Sequence, residues 1–351
     1  MYLYLIHKFM NIVAPPTTLI TLILFLPPFL VFKCFFYIFR AIFSENVAGK
    51  VVLITGASSG IGEQLAYQYA KRGARLLLVA RRKNCLQEVA EKARGFGSPD
   101  VVVVQADVSK VDDCKRFVDE AISHFGRMDH LVSNAGIASV CMFEDSSDIT
   151  KFAPIMDTNF WGSVYTAYFA VPHLRKSKGK IIVNASSAGW LPLPRMSVYN
   201  ASKAAVINFY ETLRVELGRD IGITIVTPGF TESEMMQGKF LTKEGEMQVD
   251  QEMRDVEVGT FPVEKAEGCA KAIVKSACRG DRYLTQPLWF RVMFVWKVVC
   301  PHVLEWFYRL LYVTPPGTSQ RDAPSKKILH HTAANNLLYP SSIQSLETRA
   351  D

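Results

Sequence analysis

The chain has no cysteines spaced for metal or redox chemistry. Its seven (Cys34, Cys85, Cys114, Cys141, Cys269, Cys278 and Cys300) are scattered and odd in number, with no Cys-x-x-Cys pair. That excludes a disulfide framework and a zinc site, and it fits reduced thiols facing a cytosol-like compartment. No block of like charge is present: 40 Lys and Arg against 33 Asp and Glu leave a net charge of only +7 over 351 residues. Nucleic acid is therefore not an expected partner. Internal repeats and an interior linker are missing too, so the soluble part reads as one domain.

Charge is absent altogether from Asn11 to Phe32, a stretch dominated by Leu, Ile, Val and Phe. Spanning a bilayer takes roughly 20 apolar residues, and Ile12 to Phe32 meets that length. No small-residue cleavage site follows, because Phe35, Phe36, Tyr37 and Phe39 continue the apolar character, so residues 1–45 read as a retained membrane anchor. Pro27 and Pro28 interrupt it. A proline inside a helix removes one amide donor and clashes with the preceding turn, at about 3 kcal/mol or more, so the pair predicts a sharp bend. Two geometries follow: a hairpin dipping into one leaflet, as on a lipid droplet, or a kinked signal anchor in the endoplasmic reticulum. Lys8 lies before the stretch and Lys33 and Arg40 after it, so loop charge does not fix orientation.

Beyond Gly49, short β-branched runs alternate with longer amphipathic stretches. Strands are predicted from Lys50, Arg75, Val101, His130, Lys180 and Ile221, with a seventh near Arg282. Helices follow Gly60, Lys83, Val111 and, as one long element, Lys151 to Leu174. This predicts an α/β fold, a doubly wound, Rossmann-like parallel sheet of seven strands over residues 46–286. Residues 287–313 form an aromatic segment (Trp289, Phe290, Phe294, Trp296, Trp306, Tyr308) punctuated by Arg291, Lys297 and Arg309. It suits a lipid interface, packing on the domain, or a second subunit in a homodimer. Residues 314–351 are polar and aperiodic and are expected to be disordered.

The first strand runs into Gly56-Ala-Ser58-Ser59-Gly60-Ile61-Gly62 and then a helix. Glycines there let the backbone approach a pyrophosphate, which would rest on the helix's amides and positive dipole end. The spacing departs from Gly-x-Gly-x-x-Gly, so position carries the argument. The second strand ends in Ala80-Arg81-Arg82. A carboxylate at that point would bind the free ribose of NAD, whereas two guanidiniums match the extra phosphate of NADP. NADP is thus the expected cofactor over NAD, with Asp107 placed for the adenine amino group.

Tyr199 and Lys203 stand four residues apart on a helical stretch and so share a face. A nearby ammonium stabilises a phenolate, which brings acid/base exchange by Tyr199 within reach. Ser186, thirteen residues earlier at a strand end, could hold the substrate oxygen beside it.

Gly56 to Gly62, Asn134-Ala135-Gly136, Asn159, Ser186, Tyr199, Lys203 and Pro228-Gly229 together resemble the successive motifs of the short-chain dehydrogenase/reductase family. The resemblance covers residues 50 to about 285. It implies that Asn134-Ala135-Gly136 lines the cofactor site and that Asn159 anchors a water relaying protons from Lys203. Pro228, Gly229 and Thr231 would contact the nicotinamide end. Ser133 stands where the family usually has asparagine.

The apolar N-terminus, the Ala-Arg-Arg step and Tyr-Asn-Ala-Ser-Lys are similar to the membrane-bound 11β-hydroxysteroid dehydrogenase branch, and the proline-bearing anchor to its steroleosins of seed oil bodies. Such a resemblance implies a lipophilic, sterol-like substrate and a catalytic domain on the cytosolic side of a membrane or droplet. Retinoid, acyl or general carbonyl reduction stays open, as does a sterol-binding structural role without turnover. The loop from Thr231 to Val258 names no ligand, and its methionines (Met235, Met236, Met247, Met253) suit an adaptable lid or an ordinary core.

Overall fold

The computed structural model describes residues 2–315 and 317–344. It divides into a unit ending at Glu45 and a unit beginning at Asn46. The first is one helix, α1 (Tyr2–Ile42), with no buried residue. By length and composition it can cross a membrane. At 1.5 Å per residue, its 41 residues extend about 60 Å, twice the hydrocarbon thickness of a bilayer. The helix continues through Pro15, Pro16, Pro27 and Pro28, the last two being where a sharp bend was expected. Each proline deletes one bond of the ladder, and the long apolar flanks keep the rest.

The second unit alternates strands and helices as expected: β1 (Val51–Thr55), α2 (Gly60–Ala70), β2 (Arg75–Ala80), α3 (Lys83–Gly95), β3 (Val101–Gln105), α4 (Val111–Phe125) and β4 (His130–Ser133). One long helix was expected next, and the structure has a composite. A 3-10 turn (Ile149–Phe152) leads into α5 (Ala153–Met156), a π turn (Asp157–Trp161) and α6 (Gly162–Ser177). Then come β5 (Lys180–Asn184), α7 (Ser197–Leu217) and β6 (Gly222–Pro228). The loop after β6 carries a hairpin, β7 (Lys239–Leu241) with β8 (Met247–Val249), and α8 (Gln251–Val258), before α9 (Ala266–Arg279) and β9 (Tyr283–Gln286).

The main sheet is seven-stranded and parallel, in the order β3-β2-β1-β4-β5-β6-β9. Its strands read as continuous apolar runs because both faces are covered. Val52 and Ile54 of β1 face a core with Leu65 of α2, Leu86 of α3 and Ile273 of α9. Leu53 faces the opposite core, with Phe117 of α4, Leu174 of α6 and Tyr210 of α7. Strand order reverses between β1 and β4, so the loops after these two strands flank the crevice where such sheets bind ligands.

The aromatic segment forms α10 (Phe290–Val299) and α11 (Pro301–Tyr312). Phe290, Leu304, Tyr308 and Tyr312 pack inward, while Trp296, Val299 and Trp306 remain exposed. The polar tail corrects the expectation of disorder as far as residue 344. It folds into α12 (Pro324–His331), α13 (Asn335–Leu338) and α14 (Ser341–Gln344). Leu329, Tyr339 and Ile343 insert among Met236, Val258 and Val263 of the loop after β6 and its flank. These helices span one or two turns each, too short for an amphipathic period to show. Residues 345–351 lie outside the described residues.

Candidate active site

One cavity of about 280 Å³ runs across the carboxyl ends of the strands. Its wall includes Gly56, Ser58, Ser59, Gly60, Ile61 and Gly62 after β1, Arg81 and Arg82 after β2, and Asp107 after β3. Asn134, Ala135 and Gly136 follow β4, Ser186 follows β5, Tyr199 and Lys203 come from α7, and Pro228, Gly229 and Thr231 close the set. Of the expected site residues only Asn159 is not in the wall. It lies behind it, 2% exposed.

The glycine loop has the geometry a pyrophosphate needs. A Cβ on Gly62 would fall 2.1 Å from the Gly56 carbonyl oxygen, so only glycine permits this turn. Ser59, the N-cap of α2, makes no side-chain cap bond, which leaves first-turn amides for an anion. The Asn134 amide donates to the carbonyls of Thr55 and Gly56, at 3.0 and 3.3 Å, and so ties the β4 loop to the β1 loop. Asn184, which sequence reasoning missed, donates to Asn134 Oδ1 at 2.8 Å. Among the described residues its own Oδ1 is buried without a partner beside the cavity, where a ligand's donor could meet it. These residues fit a nicotinamide dinucleotide.

After β2, Arg81 is exposed. Arg82 is already engaged: it donates to Ser59 Oγ at 3.0 Å and Ser58 Oγ at 3.3 Å, and it pairs with Glu234 at 2.7 Å. Glu234 lies in the loop after β6, and nothing in the sequence marked it. Asp107 uses Oδ1 to accept from the amide and hydroxyl of Ser109, at 3.0 and 2.9 Å, which orients the carboxylate at the cavity edge.

The catalytic candidates converge. Tyr199 and Ser186 both face the cavity, and Ser186 Oγ accepts from the Ala188 amide at 3.1 Å. Burial pushes the Tyr199 phenol above its ordinary value, and the Ser186 hydrogen bond pulls it back. Lys203 is buried as well, and burial lowers its ammonium to about 8. Its Nζ donates to the Asn184 carbonyl at 3.2 Å and stands 5.8 Å from the Tyr199 ring centroid. Asn159 sits on the π turn, a rare widening that is frequent at functional sites. Its side chain accepts from the Ile137 amide and donates to the Ile137 carbonyl, both at 2.9 Å, and donates to Ser202 Oγ at 3.0 Å. A Cβ on Gly136 would meet Asn159 Oδ1 and Lys203 Nζ at 3.2 Å each, so glycine lets these two groups close on the same spot.

Past Tyr199 the wall turns apolar: Leu191, Phe230, Phe240, Phe261 and Phe290, with Met235, Met236, Met247 and Met293. Three of the four loop methionines therefore line the site, and Met253 does not. The Gly229 backbone lies so close to Phe290 that a Cβ there would reach the ring at 2.3 Å. The aromatic segment thus closes the cavity's far end.

A parallel sheet with a glycine loop at its switch point, and a buried tyrosine, serine and lysine beside it, define a nicotinamide-dependent oxidoreductase. The chain belongs to the short-chain dehydrogenase family, whose profile matches residues 50–244. It is 58% identical to 11-beta-hydroxysteroid dehydrogenase A of Sesamum indicum over 347 residues, 99% of each chain. It is 59% identical to 11-beta-hydroxysteroid dehydrogenase 1A of Arabidopsis thaliana, again over 99% of both. A short-chain dehydrogenase/reductase of Mycobacterium marinum superposes with a TM-score of 0.59 at 28% identity, covering 68% of this chain and 94% of that one. A short-chain dehydrogenase/reductase of Burkholderia phymatum in complex with NAD shares the fold, with a TM-score of 0.65 at 23% identity over 78% of this chain and 99% of its own.

Proposed function

We propose that this protein is an NADP(H)-dependent dehydrogenase that interconverts a secondary hydroxyl and a ketone on a sterol-like substrate at a lipid surface. The observation that carries this is the continuity of one cavity. Its wall takes in two arginines after β2, Ser186 and Tyr199, and a set of aromatic and methionine side chains. The names of the plant relatives support the substrate class.

The nicotinamide, when bound, accepts or supplies the hydride. Ser186 holds the substrate oxygen by its hydroxyl. In reduction, Tyr199 delivers the phenolic proton to the oxygen as the carbonyl carbon is reduced; in oxidation it takes the proton back. Developing phenolate is stabilised by the buried Lys203 ammonium, and Lys203 hands protons onward through water held near Asn159. Arg81 and Arg82 would meet the 2′-phosphate, and Asp107 the adenine. The apolar wall excludes water and orients the substrate's hydrocarbon body.

Helix α1 is the membrane anchor in this reading. It holds the catalytic unit on the cytosolic face of the endoplasmic reticulum or on a lipid droplet, where apolar substrates concentrate.

The test is turnover of purified protein with NADPH and NADH against steroid ketones. Tyr199→Phe should lower kcat on the best substrate by about 10²–10⁴-fold while NADPH still binds. Retained turnover in that variant would overturn the mechanism.

A further inference from the structure

The far end of the cavity is not wholly apolar. Two polar side chains stand in its wall, Tyr308 of α11 and Glu257 of α8. Tyr308 is 4% exposed, and among the described residues no donor or acceptor meets its hydroxyl. Three other buried tyrosines have one. Tyr69 meets His130 at 3.0 Å, Tyr210 meets Ser163 at 2.9 Å, and Tyr339 donates to the Gly259 carbonyl at 2.8 Å. The hydroxyl is open to the cavity, and a ligand filling that space would take it out of water, which is costly unless the ligand offers it a partner.

The ring of Tyr308 is packed among other aromatic and aliphatic side chains. Its centroid lies 5.9 Å from that of Phe307 and 5.7 Å from that of Tyr312, in a cluster with Leu191, Phe290 and Leu304. Glu257 is 7% exposed, and its Oε1 accepts from Arg195 Nη1 at 3.1 Å. Burial raises its carboxyl to about 7, against the pull of the Arg195 guanidinium, so near neutral pH it can donate as well as accept. Tyr199 packs in a different cluster, with Ala188, Met196 and Phe240. The cavity wall therefore carries two phenols, set in separate hydrophobic clusters.

We propose that Tyr308 and Glu257 form a second polar subsite that receives a hydroxyl or keto oxygen on the end of the substrate remote from the reacting carbon. The substrate is then a bifunctional molecule, polar at both ends with a rigid apolar body between, rather than a simple alkyl ketone or long-chain acyl compound. This rests on the reading of the cavity as the site of a lipophilic ketone or alcohol. A site built to bond an oxygen rejects the analogue that lacks it, because its own buried groups are then left unpaired.

The experiment uses the full-length, NADPH-loaded protein and two saturated tetracyclic steroid ketones that differ by one hydroxyl on the ring farthest from the carbonyl. Dissociation constants come from calorimetry and turnover from NADPH oxidation. The hydroxylated ketone should bind roughly tenfold more tightly than its deoxy partner, and Tyr308→Phe should bring the ratio near one. The phenylalanine keeps the packed ring, and an unchanged melting temperature confirms that the variant is folded. Equal constants for the two ketones in the wild type, a preference that survives Tyr308→Phe, or binding of neither ketone would each overturn the subsite. If the tenfold preference is present but neither ketone reacts, the subsite stands and the proposed reaction falls.

Discussion

Glu234 is the place to test cofactor choice. Its carboxylate pairs with Arg82 at 2.7 Å, the two side chains only 17% and 15% exposed, and its other oxygen lies 3.6 Å from Lys239 Nζ. A 2′-phosphate arriving at Arg82 must compete with this internal anion for Nη1, while Nη2 stays on Ser58 and Ser59. Exposed ion pairs contribute at most about 1 kcal/mol, and charged hydrogen bonds up to about 3 kcal/mol, so a mostly buried pair at this distance falls at about 1–2 kcal/mol. Glu234→Gln keeps the shape and one acceptor oxygen but removes the charge. At 1.4 kcal/mol per factor of ten, the KM for NADPH should fall by about 5- to 30-fold. NADH carries no phosphate for Arg82, so its KM should move by less than about twofold.

Initial rates with each cofactor at a saturating ketone concentration measure both. A rise in the NADPH KM would mean that Glu234 holds Arg82 in its binding position rather than competing with the phosphate. Equal changes for the two cofactors would mean that Arg82 does not read the phosphate at all. Either result would refute the reasoning.

Ketone reduction needs a protonated Tyr199 beside a charged Lys203. Because burial lowers Lys203 to about 8, it is charged below that pH and neutral above it, so kcat/KM for reduction should be flat to about pH 8 and fall beyond, a profile read by rate against pH. Leu329→Ala should cost about 2–5 kcal/mol, seen as a lower melting temperature; an unchanged melt would return the tail to disorder. Arg195→Gly relieves a left-handed residue (φ 59°) but leaves Glu257 buried and unpaired, at about 3–5 kcal/mol, so the net effect on thermal melting should be destabilising. Deleting residues 2–42 should abolish co-flotation with lipid vesicles and leave turnover of a water-soluble ketone intact.

The sheet was legible because each strand is a short β-branched run bounded by turn residues, and such runs have few other fates. The glycine loop and the Tyr199–Lys203 pair were legible for a related reason: their chemistry depends on local spacing. The π turn was not. Asp157 to Trp161 sits inside an amphipathic stretch that reads as one helix, and the widening arises from Asn159 reaching back to Ile137. Glu234, Glu257 and Arg195 gave no signal because each is an isolated charge in a loop or short helix, and its partner lies far along the chain. Arg195 meets Glu257 across 62 residues and Gln320 across 125. The tail escaped notice because it buries few apolar residues (Ala323, Leu329, Tyr339 and Ile343), and they are spaced for insertion into a neighbour rather than for a helical stripe.

Arg195 also explains why those C-terminal segments belong to the catalytic unit. It lies two residues before Ser197, the first residue of α7, in a backbone conformation that costs a non-glycine residue about 1–3 kcal/mol. Its guanidinium donates to Glu257, to the Tyr312 carbonyl at 2.5 Å and to Gln320 at 2.8 Å, and its carbonyl accepts from the Cys141 amide at 2.8 Å. Four segments therefore hold the chain in a strained turn immediately ahead of Tyr199. The same α8 and α11 supply Glu257 and Tyr308 to the substrate wall. Substrate contacts at that wall and the approach to the catalytic helix are thus joined through one buried ion pair, and displacing either partner of the pair disturbs both.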